Sequence, residues 1–491
     1  MSEPERAGPN GRERTVTGPG RGGPGAGDAG AGGHDLVIVA NRLPVHHDSG
    51  DSPWEPSPGG LVRAMLGVIR HYHGAWVGWS GLADEDAVPF EHDDIPLVPV
   101  TLSDDDVAGF YDGFANDTLW PLYHDAIRTP SFEQEWWESY VSVNERFAEA
   151  AASAAAPGAI VWVHDYHLQL VPAMLRERRP DLRIGFFLHI PFPPQELFMR
   201  LPWREEILRG ILGADVVGLQ RRGAAENLAL CSRRLLDAHG AVPGLTLDGR
   251  RVEVGAFPIS IDVAEFEEMA RRPETQALAA RLRARLGEPD LVLLGIDRLD
   301  YTKGIDVRLE AFRDLLANGD IDRRRCALVQ VAVPTRERIE HYADERRRVE
   351  QLVGEINGEF SRLGYPVVHY LHQNVPMDEL SALYQVGDVM LVTPLRDGMN
   401  LVAKEYAASR VDGGGVLVLS EFAGAADELG DALLVNPHDR EAVQRAMLEA
   451  ASMDPVEARA RMASIREAVR ANDVTHWAHV FLSRLDPALA A

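Results

Sequence analysis

Residues 159–190 read AIVWVHDYHLQLVPAMLRERRPDLRIGFFLHI: an apolar run, a helix-like stretch, and a second apolar run that closes on His189 and Ile190. Neither run alternates apolar with polar residues, as a strand with one wet face would, so both read as strands of a parallel sheet covered on its two faces. The rhythm extends outward. DLVIVA (35–40) and AWVGWS (75–80) precede it and DVVGLQ (215–220) follows it, which makes a doubly wound α/β domain. After an irregular stretch at 240–262 the pattern restarts with LVLLGIDR (291–298), ALVQVAVP (327–334), VVHYLHQ (367–373), VMLVTP (389–394), GVLVLSE (415–421) and ALLVNP (432–437). Helical periodicity over 439–487 ends the chain. The expected fold is therefore α/β, with two Rossmann-like doubly wound parallel-sheet domains over 34–257 and 258–491, divided near Pro258 in GAFPISID.

Composition bounds what such a fold can serve. At 491 residues the chain exceeds the roughly 250 to 300 at which one core stops growing, in keeping with two domains. A formal charge of −25 opposes nucleic acid and anionic membrane as partners. No apolar run approaches the roughly 18 residues of a membrane span. Two cysteines, Cys231 and Cys326, are too few for a disulfide framework, and a reducing cytoplasm is expected. Residues 1–33 are rich in Gly, Pro, Arg and Ala with no apolar segment, and read as a disordered tail rather than a secretory leader. Gly25, Gly27 and Gly30 in that tail spell GxGxxG, but no strand precedes them, so the pattern is set aside.

Lysine usage points to a site. Among 50 Lys and Arg residues only Lys303 and Lys404 are lysines, in RLDYTKG and RDGMNLVAKE, where a compact ammonium suits phosphate. Ligands of open parallel sheets collect beyond the carboxyl ends of the strands. There stand Asn41 and Arg42, His164 to His167, His189, Arg298, Arg336, and the RDGMN turn at 396–400. Asp397 and Gly398 make a tight turn whose helix start offers free N–H groups to a diphosphate, with Asp397 for sugar hydroxyls and Glu405 for a ribose. Arg298 and Lys303, five residues apart, can converge on one diphosphate; the alternative is a local ion pair of Arg298 with Asp297 or Asp300 and an exposed Lys303. His189 reads equally as a core histidine. His164, Asp165 and His167 lack a third ligand at recognised spacing, which disfavours a metal, and Asp104, Asp105 and Asp106 open an amphipathic helix. Asp165 suits sugar hydroxyls or a hydroxyl proton. Trp79, Tyr111 and Trp120 offer flat faces to a pyranose, or simply pack the core.

The strings VANR, GGL, GWSG, FYDGF, LWP, HDYHL, GFFLHIPFPP, RLDYTKG, TPLRDGMNLVAKEY and SEFAGAADEL, in this order over about 35–485, resemble the trehalose-6-phosphate synthases. These are retaining glycosyltransferases in which two Rossmann-like domains face a deep cleft, the GT-B architecture. The resemblance implies transfer of glucose from a nucleotide-glucose donor to glucose 6-phosphate, giving α,α-trehalose 6-phosphate and a nucleoside diphosphate, with no metal or other cofactor. It assigns Arg42, Tyr111, Trp120, Arg336 and Trp79 to the acceptor, with Asp165 at its hydroxyls. To the donor it assigns Gly60, His189, Arg298, Lys303, Asp397, and the turn and helix of Gly398, Met399, Asn400, Leu401, Val402, Lys404 and Glu405. Val375 and His372 depart from common forms of the family near the expected nucleobase pocket, so UDP, ADP and GDP remain open. No DxDxT phosphatase motif follows. The resemblance leaves two alternatives: a glucosylglycerol-phosphate synthase, differing at the acceptor, and a silent homologue that senses sugar phosphate. A cytoplasmic homo-oligomer is expected.

Overall fold

The structure, a computed structural model, describes residues 33–47, 53–57, 60–72, 74–85, 88–336 and 338–490. The tail through residue 32, with its GxGxxG pattern, and Gly59 of GGL lie outside the described residues.

Each apolar run becomes a strand. In the first sheet the strands lie in the order His239–Ala241, Gly244–Leu247, Arg250–Ala256, Val216–Leu219, Arg183–Phe187, Ala155–His164, His34–Arg42, Ala75–Trp79, Ile95–Pro99 and Phe90–His92. From Arg250–Ala256 across to Ile95–Pro99 neighbours are parallel, and antiparallel strands finish both edges. The winding reverses between His34–Arg42 and Ala155–His164, which pair in register Val37↔Val161 and Ile38↔Trp162. The second sheet, parallel throughout, runs Val368–Leu371, Cys326–Val333, Leu291–Arg298, Val389–Val392, Val416–Ser420 and Leu433–Val435. Its winding reverses between Leu291–Arg298 and Val389–Val392. Both sheets are thus Rossmann-like, and each reversal opens a crevice at the carboxyl ends of its strands.

Side chains on both faces of the central strands are buried because helices cover both faces, which is why the runs are continuously apolar. One buried cluster fills the first lobe and another the second. A third joins Trp162 and Phe187 of the first sheet to Ile296 and Met390 of the second.

Two elements differ from the sequence reading. The stretch 240–262 is not irregular: Gly244–Leu247 turns through Asp248 (φ 50°) and Gly249 (φ 78°) into Arg250–Ala256, which joins the parallel sheet beside Val216–Leu219. Asp-Gly supplies the two positive φ angles of a tight hairpin. The strand alternates buried Val252 and Val254 with outward Arg251 and Glu253, unlike the other runs. The expectation for 258–491 also needs amending, because the final helix Val474–Leu485 leaves the second lobe and packs on the first sheet. Gly185 and Gly218 make room for it: a Cβ on either would lie 2.7 Å from the Phe481 ring. Trp477 Nε1 donates to the Phe257 carbonyl at 3.1 Å, tying this helix to the crossing point.

Candidate active site

The two crevices open toward each other, and the backbones touch. A Cβ on Gly398, in the turn after Val389–Val392, would lie 2.0 Å from the His189 carbonyl oxygen at the end of Arg183–Phe187. Only glycine permits that approach. Beside the contact a cavity of about 470 Å³, lined by Ile190, Gln220, Arg396, Asp397 and Gly398 among others, lies between the lobes.

On the first lobe, Asp165 follows the strand Ala155–His164 in the left-handed region (φ 75°). The strained turn holds its N–H on Phe187 O at 2.7 Å, and its Oδ1 accepts the His189 N–H at 3.1 Å. Burial pushes the Asp165 carboxyl up to about 6, although the N–H groups of Tyr166 and His189 and the cations Arg298 and Arg336 pull it down. The His189 ring meets His164, with 3.1 Å between His164 Nδ1 and His189 Nε2. Arg42, ending His34–Arg42, lays its guanidinium 4.0 Å over Trp79 and 5.5 Å from the Tyr111 ring centre. Burial would raise the Tyr111 phenol, yet Arg42, Arg336 and Arg298 bring it below its ordinary value, so three cations from two lobes converge there.

Arg336 crosses between the lobes. It follows Cys326–Val333 at φ 50°, and its Nη1 donates to Asp300 Oδ2 at 3.1 Å and to the Tyr342 hydroxyl at 2.5 Å. Its Nη2 donates to the Tyr166 hydroxyl of the first lobe at 2.8 Å, and the guanidinium lies 3.8 Å over Trp120. Arg298 approaches the same indole at 5.1 Å. Asp300 is fully buried; burial opposes its charge, but Arg336, Arg298 and Lys303 prevail and hold its carboxyl at about 2.

At the second crevice the alternative pairing for Arg298 is not found. Asp297 takes Arg308 at 2.6 Å and Asp300 takes Arg336, which leaves Arg298 exposed with no hydrogen-bond partner among the described residues. Lys303 is buried rather than exposed, its Nζ on Asp397 Oδ2 at 2.5 Å. Burial works against the Asp397 charge, while Lys303, foremost, and the Asn400 amide at 3.1 Å hold its carboxyl below the usual range. Asn400 (φ 78°) caps the helix Leu401–Ser409 through the Ala403 N–H at 3.2 Å. Met399 is buried and Leu401 and Val402 partly so. Glu405, deeper in that helix, accepts the Tyr384 hydroxyl at 2.7 Å.

Three sequence expectations change. Lys404 does not reach the crevice: its buried Nζ bonds Glu428 Oε2 at 2.6 Å and Ile259 O at 2.9 Å, making it a strut within the fold. Trp79 and Trp120 are buried and carry guanidinium groups on their faces, so they orient arginines instead of offering an open platform to a sugar. Trp79 Nε1 is spent on Leu82 O at 2.8 Å. Of the other expected residues, Gly60 opens the helix Gly60–Tyr72, and Val375 lies half-buried between Val368–Leu371 and Met377–Val386. Asp106 caps its own helix through Ser103 and binds Arg146. Sequence reasoning did not assign Tyr342, a buried residue in the first turn of the helix Glu340–Phe360, or the positioning part of Asp300, which stands inside RLDYTKG.

Residues 34–487 match the sequence profile of glycosyltransferase family 20. A trehalose-6-phosphate synthase of Mycobacterium avium is 56% identical over 480 residues, covering 94% of this chain and 98% of the relative. A solved structure from E. coli, bound with UDP-2-fluoro glucose, superposes with a TM-score of 0.84 at 35% identity, covering 92% of this chain and 98% of the other. An α,α-trehalose-phosphate synthase (UDP-forming) from Burkholderia xenovorans, in complex with glucose-6-phosphate, gives 0.84 at 33% identity over 92% and 99% of the two chains. The two opposed crevices, their converging cations and these likenesses lead to one conclusion: the chain belongs to glycosyltransferase family 20.

Proposed function

We propose that this glycosyltransferase moves glucose from a nucleotide-glucose donor to glucose 6-phosphate with retention, forming α,α-trehalose 6-phosphate and a nucleoside diphosphate. The observation that carries the reading is the shared indole of Trp120, reached from one side of the cleft by both Arg336 and Arg298. An acceptor phosphate beside Arg336 and a donor diphosphate beside Arg298 would then be brought to the same indole.

Arg42, Tyr111 and Arg336 take the acceptor phosphate, and Asp165 accepts from the acceptor hydroxyls. Donor recognition falls to Gly60, His189, Asp397 and the turn and helix from Gly398 to Glu405, without Lys404, and Val375 borders the base. An ammonium has three protons, so Lys303 keeps Asp397 with one and offers the others to the diphosphate beside Arg298. In the step itself the acceptor hydroxyl oxygen bonds to C1 of the glucosyl group on the face the diphosphate leaves. The C1–O bond breaks with its electron pair passing to the diphosphate, which receives the hydroxyl proton. Arg298 and Lys303 stabilise the charge gathering on that oxygen more in the transition state than before it, and the closed lobes keep water from the activated sugar.

The test supplies UDP-, ADP- and GDP-glucose in turn with glucose 6-phosphate and excess chelator, and identifies the product by NMR. An α,α-linked disaccharide phosphate is expected from at least one donor. Formation of no disaccharide, or a strict need for a divalent cation, refutes the reading. Glycerol 3-phosphate in place of glucose 6-phosphate is expected to give no product.

A further inference from the structure

His164 is a buried titratable group for which the reaction above has no use, yet its Nδ1 lies 3.1 Å from Nε2 of His189. The strand register fixes the pair: His164 ends Ala155–His164 opposite Phe187, and His189 follows two residues later. The His164 ring lies among Trp162, Phe187 and His189, with centroids 4.7, 6.3 and 5.3 Å away. Burial holds both imidazoles neutral, His164 well below its ordinary value and His189 down to about 3.

Two neutral rings at this distance share one proton, and there are two ways to place it. If His189 Nε2–H donates to His164, the other proton of His164 must sit on its Nε2. That atom is buried with no partner, and the neighbouring Trp162 indole already leaves its own Nε1–H buried and unpaired. Two orphan donors would then lie in adjacent rings, and orphan buried donors are rarer in folded proteins than orphan acceptors. If His164 Nδ1–H donates instead, His164 Nε2 keeps only a lone pair and adds no orphan donor to that of Trp162. His189 Nε2 becomes an acceptor and its proton moves to Nδ1. That nitrogen has no partner among the described residues, on a residue only partly buried whose carbonyl meets Gly398 across the cleft.

We infer that His164 is a positioning residue that fixes His189 as the Nδ1–H tautomer, so that His189 presents an N–H donor to an oxygen of the donor hexose. The second half rests on the proposed function; the first does not. The test is the full chain labelled with ¹⁵N-histidine, whose ring shifts report each tautomer directly, free and with nucleotide-glucose added. His189 is expected to carry its proton on Nδ1, and this resonance is expected to shift with the sugar nucleotide. His164→Asn, whose amide can stand where Nδ1–H stood, is expected to keep the tautomer and leave kcat within about threefold. His164→Phe removes the donor; His189 is expected to turn to Nε2–H, and kcat to fall about tenfold or more with KM for glucose 6-phosphate unchanged. Wild-type protein with its proton on His189 Nε2 overturns the tautomer, a test that needs neither turnover nor a folded variant. Equal loss in the Asn and Phe variants overturns the positioning role. The stated tautomer with a resonance indifferent to nucleotide-glucose overturns the hexose contact alone, and with it the donor side of the proposed function.

Discussion

Arg298→Ala separates a cation held for the fold from one held for a ligand. Most arginines here have acid partners, but the guanidinium of Arg298 is exposed, has no ion pair among the described residues and lies 5.1 Å from the Trp120 ring centre. A cation over an indole at an exposed site is worth about 0.5 to 1 kcal/mol, so the fold should lose no more than that. For a chain of 491 residues that is a fall in melting temperature of about 1 °C at most. The loss in catalysis should be larger. A preorganised donor aimed at charge that develops in the transition state contributes about 2.7 to 4 kcal/mol, and at about 1.36 kcal/mol per decade its removal lowers kcat roughly 10²- to 10³-fold. Lys303 still contacts Asp397 in the variant, so some activity should survive. The assay is continuous release of nucleoside diphosphate at saturating substrates beside a calorimetric melt of the same preparation. A kcat within about threefold of wild type, with an intact fold, would show that Arg298 does not meet the leaving group.

Arg308→Met should act the other way. Its buried guanidinium binds Asp297 Oδ2 at 2.6 Å, Thr393 Oγ1 at 3.0 Å and Lys303 O at 2.8 Å, so removal strands a buried carboxylate and costs about 3 to 5 kcal/mol. Calorimetry should show it, with part of the loss recovered in Arg308→Met/Asp297→Asn. Lys404→Met should lower the melting temperature by breaking the bond to Glu428 while KM for the nucleotide sugar stays within about twofold; a tenfold rise in that KM would return Lys404 to the donor site. Asp165→Asn tests pH linkage. Its carboxyl titrates at about 6 in the fold against 3.8 unfolded. From about pH 4 to pH 6 the unfolded chain releases this proton first, so the fold loses stability as pH rises, by about 1 to 3 kcal/mol. Asparagine tolerates the positive φ and can still accept the His189 N–H, so the variant should be more stable than wild type at pH 7 and equal to it at pH 4, read by chemical denaturation. The same increment at both pH values would count against a raised carboxyl.

Strand ends were legible because parallel strands covered on both faces spell unbroken apolar runs, and the residue after each run must lie at the carboxyl edge. That located Arg42, Asp165, His189, Arg298 and Arg336 without any contact being known. The partners were not legible. Lys404 stands in the same helix turn as Asn400, but Glu428, which claims its ammonium, is 24 residues away in sequence. Trp120 reads as an open aromatic face until Arg336, from the other lobe, is laid on it. The last helix has the same periodicity whichever sheet it covers, and only the bare backbones of Gly185 and Gly218 decide in favour of the first. Periodicity gives each residue's place along its own element; long-range charge pairing and inter-lobe packing need the other element as well.

The pairing pattern in the cleft also bears on how an anion enters a protein of charge −25. Each expected phosphate site holds one cation tied to an acid and one that is not. Arg336 is fixed by Asp300 and stands near Arg42, which has no acid partner among the described residues; Lys303 is fixed by Asp397 and stands near Arg298, which has none either. A tied pair is nearly neutral at a distance, so it adds little to the field that draws an anion in, but its geometry is set in advance and costs little to order on binding. An untied guanidinium has the opposite properties, since it supplies net positive charge at the crevice and must be ordered by the ligand or by an aromatic face. Trp79 under Arg42 supplies such a face without cancelling the charge, and Trp120, which carries the tied Arg336 at 3.8 Å, also lies within 5.1 Å of Arg298. Trp79 therefore does for Arg42 what Asp300 and Asp397 do for the tied cations, and an aspartate in its place would cost the cleft the net charge that an anionic substrate must find there.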